Sequence, residues 1–341
     1  MKEQSPIIDR SYIHTSDNIY FCINGNLHSR EAVFGMPYYF PTRNLENIMD
    51  IQINEYILIG GEKYTKLLSQ ISRESYKNFI KDNYPNYMYS PPMWEILMKV
   101  DRNKILKIID PRHMVDRVMR QSVEKAAQEN PLLYTLRQMQ LHNPSLFTNM
   151  GIGGSTLLRD DFLSVENDLD LIFYKRSTVT TAKEFSDKMI ATNPRFTKLK
   201  GNTLESYLEK TSRQLGGTRE SLYHLTKGRW DLLYVDGKKL DFSFVDPSFS
   251  PPVASYEGIR STKTVKVKAR ITDSSDSYFM PTVLDIDNDT FQKVVITKRG
   301  YICLFYLDQS VEIVGTEFRN EKNKSRFLLV DDFNGGNISL S

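Results

Sequence analysis

The sequence predicts an α+β protein in which a central domain of helices and strands lies between two β-rich domains. Apolar and polar residues alternate through residues 1–110, as in half-buried strands. Apolar residues then recur at three- and four-residue steps in the middle of the chain, as in amphipathic helices, and alternation returns after residue 260. The predicted domains are therefore a β-rich N-terminal domain (1–110), a central domain (111–250) and a small C-terminal β domain (260–341).

The N-terminal segment reads as short strands separated by turns. The predicted strands lie in "NIYFCINGNLH", "EAVFGMPYYF", "EYILIGG" and "KILKIIDPR", and one helix lies in "KLLSQISRESYKNFIKDNY". Pro85 ends that helix and Pro111 ends the last strand, so the first domain boundary is placed there.

The central segment alternates helices and strands. Helical spacing runs from Met114 to about His142, with a break or kink expected at Pro131. Two more helices lie in "TAKEFSDKMIAT" and in "LESYLEKTSRQL", the second ending at the glycine pair 216–217. The segment "RWDLLYVDGKKLDFSFVD" predicts two strands joined by a hairpin at Asp236-Gly237.

The C-terminal segment contains strand-like runs that favour a small barrel or sandwich. These runs are "TVKVKARI", "QKVVITKRGYICLFYL", "SVEIVGTEF" and "SRFLLVDDF".

Composition restricts the class of protein without choosing a partner. The formal net charge of +3 neither requires nor excludes nucleic acid, because a local basic patch fits within a nearly neutral total. Cys22 and Cys303 are far apart and form no CxxC motif, which predicts a reducing cytoplasm. The N-terminal run "MKEQSPIIDRSYIH" has no apolar signal core, and no apolar run is long enough to span a bilayer, so no membrane partner is expected.

The stretch "GIGGSTLLRDDFLSVENDLDLIFY" carries the clearest chemistry. Side chains at i and i+2 of a strand share a face, so Asp168 and Asp170 are expected side by side. Two neighbouring carboxylates repel each other unless a cation lies between them, and Mg²⁺ (or Mn²⁺) commonly fills such a place together with substrate phosphates. Upstream, Gly153, Gly154 and Ser155 are expected to lead into a helix and to bind phosphate through backbone N–H groups.

This pattern resembles the signature of the polymerase-β-like nucleotidyltransferase superfamily. The matching features are Gly154-Ser155, twelve intervening residues and the strand-borne Asp168-Leu169-Asp170. A looser likeness extends over most of the chain to an uncharacterised, mainly archaeal branch of predicted nucleotidyltransferases. The resemblance implies a palm-type mixed sheet and two-metal transfer of an NMP from an NTP to an acceptor hydroxyl.

The resemblance also implies a third metal-binding and catalytic carboxylate on a later strand. Asp241, in "KKLDFSFVD", is the first candidate, Asp231 is the second and Asp246 the third. The catalytic and metal-binding set is thus predicted to be Asp168, Asp170 and Asp241.

Basic residues suggest where polyanions bind. Arg219, Lys227 and Arg229 are predicted to contact the triphosphate or an RNA backbone, although a solvated loop is the alternative. The large flanking domains, and a basic run from Lys263 to Arg270, favour an RNA 3′ end, such as that of tRNA, as acceptor. The alternatives are AMPylation of a protein, as in some toxin–antitoxin pairs, and an inactive nucleotide- or nucleic-acid-binding module.

Overall fold

The computed structural model forms two compact units. The first comprises residues 1–89, 97–185 and 234–247, and the second comprises residues 90–96, 186–233 and 248–341. The residues that the structure describes are 7–26, 28–49, 53, 55–89, 97–121, 130–162, 168–215, 218–249, 259–320, 324–331 and 336–340.

The N-terminal part of the first unit is an eight-stranded sheet. Its strand order is β4-β5-β3-β2-β1-β8, and β7 pairs with both β3 and β6. Helices α1 (Thr42–Met49) and α2 (Arg73–Asn83) accompany it. The strands are β1 (Tyr12–Thr15), β2 (Tyr20–Ile23), β3 (Ala32–Pro41), β4 (Ile57–Ile59), β5 (Glu62–Lys66), β6 (Met88–Tyr89), β7 (Leu97–Asp101) and β8 (Ile105–Ile109).

Helices and short strands alternate in the central part of the chain, as predicted. The helices are α3 (Arg112–Gln121), α4 (Pro131–His142), α5 (Pro144–Phe147), α6 (Thr178–Thr192), α7 (Gly201–Leu215) and α8 (Arg219–Thr226). The strands are β9 (Met150–Ile152), β10 (Leu169–Tyr174), β11 (Phe196–Lys198), β12 (Leu232–Val235) and β13 (Lys238–Val245).

Pro131 begins a helix, whereas a break or kink inside one was predicted. The Asn130 side chain accepts hydrogen bonds from the N–H groups of Leu132 and Leu133. Proline suits this first position because its missing N–H would lack an intrahelical partner in any case. Residues 122–129, and the predicted glycine stop at 216–217, lie outside the described residues.

A mixed sheet forms the centre of the first unit. β9 is antiparallel to β10, and β13 is parallel to it. One face of this sheet is apolar: Phe173 lies 5.1 Å from Phe242 and 5.7 Å from Phe244, measured between ring centroids. β12 leads into β13 through Asp236 and Gly237, which have φ values of 49° and 77°. Both values are positive, as in a type I′ turn, at the position where the hairpin was predicted.

The N-terminal segment lies along the other face of the same sheet. Ile8 packs with Ile172, Tyr174 and Val245 in one buried cluster. The Asn26 side-chain amide donates to the carbonyl oxygen of residue 246 at 2.8 Å. Segments that flank the first two strands of the N-terminal sheet therefore contact the central part of the chain within this unit.

The C-terminal part of the second unit is a small barrel, as predicted. Its strand order is β14-β15-β16-β18-β17-β19, and β14 also pairs with β17, which closes the sheet. Leu208, Leu215, Leu222 and Leu225 of helices α7 and α8 belong to its apolar core. The strands are β14 (Ile259–Asp273), β15 (Thr282–Ile286), β16 (Lys293–Ile296), β17 (Ser310–Arg319), β18 (Arg326–Val330) and β19 (Asn337–Leu340).

The overall class is thus α+β, with a mixed sheet and a small barrel. None of the helices in the described ranges combines the length and the apolar character that crossing a membrane requires.

We predict that the buried Lys298 stabilises the second unit. Its ammonium group donates to the carbonyl oxygens of Leu215 at 3.1 Å and Gly336 at 2.5 Å. Lys298→Met leaves both acceptors unpaired and should lower the free energy of unfolding in urea by about 2–4 kcal/mol. The control is Lys293→Met, which breaks an exposed ion pair with Asp285 and should cost less than about 1 kcal/mol. Equal destabilisation of the two variants would contradict this role.

Candidate functional site

Two of the predicted carboxylates occupy matched positions on adjacent strands. Asp170 of β10 is the register partner of Asp241 of β13, and the two strands are parallel. In parallel strands, register partners point to the same face of the sheet. Both side chains are partly buried. The sheet therefore brings together two residues that are far apart in the sequence.

Asp168 lies immediately before β10 and is exposed. Partial burial, followed by the negative charge of Asp241, raises the pKa of Asp170 above its ordinary value. Asp168 contributes to this rise to a smaller extent. The structure thus makes the three predicted carboxylates electrostatic neighbours, with Asp170 and Asp241 as the closely coupled pair.

The glycine loop after β9 packs directly against Asp170. The N–H of Gly153 donates to the backbone carbonyl of Asp170 at 2.8 Å. Gly154 has a φ of 63°, and a Cβ built on it would lie 1.8 Å from Asp170 Oδ2. Only glycine combines this left-handed conformation with such a close approach. Gly153 and Gly154 are therefore in direct contact with Asp170.

The prediction of an α-helix after this loop is wrong for the described residues 151–162. Ser155–Leu157 form a single 3-10 turn instead. The buried Thr156 hydroxyl has no hydrogen-bond partner in the part of the chain that the structure describes. A buried hydroxyl without a partner is costly, so this loop retains unused polar capacity next to Asp170. The end of the predicted twelve-residue interval, residues 163–167, lies outside the described residues.

Lys239 is a member of the site that sequence reasoning missed. Its ammonium group lies 2.8 Å from Asp241 Oδ2. The charge of Asp241 raises the pKa of Lys239 above its ordinary value, against the effect of burial, and Asp170 adds to the rise. The i, i+2 spacing of Lys239 and Asp241 on a strand was the available signal.

The N-terminal sheet contributes a second group of missed residues. The charge of Arg10 acts to lower the pKa of Asp170. Burial raises the pKa of Tyr12 and of Tyr39, and the negative charge of Asp170 adds to both shifts. Arg10 is two residues beyond Ile8, which packs on the carboxylate-bearing face of the sheet. No local pattern in the sequence connects these residues with the Asp pair.

The three predicted basic residues lie in the second unit. Arg219 forms an ion pair with Glu205, at the start of α8. Arg229 forms a buried ion pair with Asp231, the second candidate for the third carboxylate. Lys227 is exposed at the end of α8. The segment containing Arg219 is thus helical, and contacts of these residues with a triphosphate stay a prediction.

Asp246, the last candidate for the third carboxylate, directly follows β13. Its side chain is paired with Arg176 at 3.6 Å. Of the three candidates, Asp241 is the one in register with Asp170.

The donor set fits a hard divalent cation. In the described residues, no group of three or more His, Cys, Asp or Glu side chains is close enough to hold a metal ion. Mg²⁺, however, is usually held by one or two carboxylates together with substrate phosphates and water. Asp170 and Asp241 supply that number, and their mutual repulsion is what a cation would relieve.

The chain is similar to a curated protein of the archaeon Methanocaldococcus jannaschii, the uncharacterised protein MJ1086. The two are 22% identical over 298 residues, which cover 84% of this chain and 83% of the relative. No family model matches the chain, and no solved structure matches it significantly. The relative's name states no activity, so function is argued from the geometry of the site.

We predict that Gly154→Ala destabilises the protein through its contact with Asp170. The control, Gly237→Ala, has a φ of 77° but nothing within 4 Å of the added Cβ, so it should cost only about 1–2 kcal/mol of strain. Gly154→Ala should cost about 2 kcal/mol more, because the Cβ also displaces a carboxylate. Urea unfolding measures both changes.

A double-mutant cycle with Asp170→Ala isolates the contact. When the carboxylate is absent, the cost of Gly154→Ala should fall towards that of Gly237→Ala. Additive effects of the two substitutions would show that the loop and the carboxylate are independent.

Proposed function

We propose that the protein is a metal-dependent nucleotidyltransferase, which moves an NMP from an NTP to an acceptor hydroxyl. The observation that carries this proposal is the register of Asp170 with Asp241 beside Gly154. It combines a carboxylate pair of the kind that holds a divalent cation with a glycine turn of the kind that binds phosphate. The same arrangement, together with the Gly-Ser and Asp-x-Asp spacing, supports membership of the polymerase-β-like superfamily and a palm-type assignment of the mixed sheet.

The carboxylates have complementary roles in this proposal. Asp168 and Asp170 would hold the divalent cation that accompanies the triphosphate, and Asp241 together with Asp170 would hold the cation beside the acceptor. When bound, Mg²⁺ or Mn²⁺ would supply positive charge that neutralises the phosphates and favours loss of the proton of the acceptor hydroxyl. The chain itself fixes the positions, because both of the coupled carboxylates are on paired strands of one sheet.

Nucleotide binding is assigned to the glycine loop and to Arg10. Gly154 and Ser155 offer backbone N–H groups and a hydroxyl beside Gly153, whose own N–H is bonded to the Asp170 carbonyl. The buried Thr156 hydroxyl lies in the same turn. Arg10 supplies a positive charge on the carboxylate side of the sheet, where the triphosphate requires one.

An active enzyme is favoured over an inactive binding module by the third carboxylate. Loss of activity would remove the selective need for matched aspartates on two strands that are distant in sequence. Asp241 is nevertheless in register with Asp170, and Lys239 balances part of its charge.

We predict that transfer depends on this pair. With an NTP labelled at the α-phosphate and Mg²⁺ or Mn²⁺, Asp170→Asn and Asp241→Asn should each reduce labelling of the acceptor by at least about a hundredfold. Asp236→Asn is the control, because it removes a carboxylate from the hairpin before β13 while asparagine tolerates its left-handed backbone. Undiminished labelling by both site variants would refute the proposal.

The acceptor proposed is an RNA 3′ end, such as that of tRNA. Lys266, Lys268 and Arg270 alternate along β14 and are exposed, which provides one basic face on the barrel. Part of this charge is already balanced within the barrel: Lys266 lies 2.7 Å from Glu312, and Arg270 is 3.5 Å from an oxygen of Asp287. The basic face is therefore weaker than the sequence suggests, and protein AMPylation is the second candidate.

We predict that Lys268→Glu lowers RNA labelling and leaves NTP binding unchanged. Removal of one lysine–phosphate interaction should reduce the slope of log affinity against log salt by about one. Lys293→Glu is the control, since it reverses a half-exposed lysine that is on β16 and not on β14. Incubation with cellular RNA and protein, followed by a gel, compares the acceptors. If a protein band is labelled and the RNA is not, the acceptor is a protein and the RNA proposal is refuted.

A further inference from the structure

Lys239 is a partly buried lysine beside the carboxylate pair of Asp170 and Asp241. It is on the same face of β13 as Asp241, two residues away, and its side chain is only 29% exposed. Its ammonium group contacts Asp241 Oδ2 at 2.8 Å. The nearest carboxylate in register with Asp241 is Asp170, so the ammonium charge acts on both members of the pair.

We propose that the Lys239 ammonium group is a built-in counter-ion, which a divalent cation must displace before it can bind between Asp170 and Asp241. This inference rests on the proposed function, because it takes this carboxylate pair as the metal site. Lys239 is thus a positioning residue: it acts on the site through Asp241.

The physical reason is competition for the same oxygen atoms. Asp241 Oδ2 already accepts a charge-assisted hydrogen bond from Lys239. A divalent cation bound to that oxygen would lie beside a second positive charge in a partly buried place, which is unfavourable. Lysine has a flexible four-carbon stem, so its ammonium group can move away without any change in the strand.

The displaced ammonium group also needs a new anionic partner. A triphosphate bound at the neighbouring glycine loop would supply one, because Gly154 touches the carboxylate of Asp170. Binding of the cation and of the nucleotide would therefore favour each other, and such coupling is reciprocal. In the absence of nucleotide, Lys239 would therefore lower the affinity of the site for divalent cations.

The test measures binding of Mn²⁺ alone, without nucleotide, from the electron paramagnetic resonance signal of free Mn²⁺. Lys239→Gln removes the competing charge and should bind Mn²⁺ about tenfold more tightly than the parent, the scale on which one nearby charge acts. Lys239→Arg keeps the charge and should bind as the parent does. Lys238→Gln is the matched control, because adjacent strand residues point to opposite faces. An affinity of Lys239→Gln equal to or below that of the parent would overturn the inference.

A second measurement uses the unaltered chain and so does not depend on folding of a variant. Lys239 should react faster with an amine-labelling reagent when Mn²⁺ is present, as read by mass spectrometry of its peptide. Asp170→Asn should abolish that increase, and Lys238 should show none. Equal labelling of Lys239 with and without Mn²⁺ would also overturn the inference.

These outcomes are separable from those for the proposed function. Displacement of Lys239 by Mn²⁺ in a protein that transfers no NMP would refute the activity and keep the inference. Transfer of NMP by a protein in which Lys239→Gln does not change Mn²⁺ affinity would support the activity and overturn the inference.

Discussion

Electrostatic repulsion between Asp170 and Asp241 is the constraint on which the rest of the site depends. Parallel pairing of β10 with β13 places the two carboxylates opposite each other on one face of the sheet. Such an arrangement is unfavourable unless positive charge lies nearby. Lys239 and Arg10 provide that charge from two different elements, a neighbouring position on β13 and the segment before β1.

The glycine loop after β9 limits the space around the same carboxylate, that of Asp170. The backbone of the glycine loop approaches Asp170 so closely that the loop has no room for a side chain at residue 154. The N–H of Gly153 fixes the loop to β10 through the carbonyl of Asp170 itself. Position and charge of Asp170 are thus set by a backbone contact, a partner carboxylate and a lysine, and a change in any one of them alters the others.

Local patterns predicted the elements that local physics determines. The hairpin at Asp236-Gly237 and the strand-rich C-terminal barrel follow from turn chemistry and strand alternation. The helix expected after Ser155 did not form: a single 3-10 turn occupies Ser155–Leu157. In the other direction, the segment from Arg219 to Thr226 is a helix capped by Thr218, although its sequence is also compatible with a solvated loop.

The partners of the Asp pair could not be predicted in the same way. A lysine two residues before an aspartate on a strand usually marks a solvated face, and only the register with Asp170 gives Lys239 its significance. Arg10, Tyr12 and Tyr39 approach Asp170 through pairing of distant segments, which leaves no periodic signal. The Asp241 candidate itself was separated from Asp231 and Asp246 by strand register, a long-range property.

The contact of Asn26 with the backbone of residue 246 has a consequence for folding. The two residues are 220 positions apart in the chain, and Ile8 packs on Val245 in the same region. During synthesis on the ribosome, Ile8 emerges long before β13 exists, so its contact with Val245 forms only after most of the chain has been made. Closure over such a long loop is slow, and apolar side chains left exposed in the meantime favour aggregation. Nascent chains of this protein should therefore depend on chaperones more than a protein of this size with mainly local contacts would.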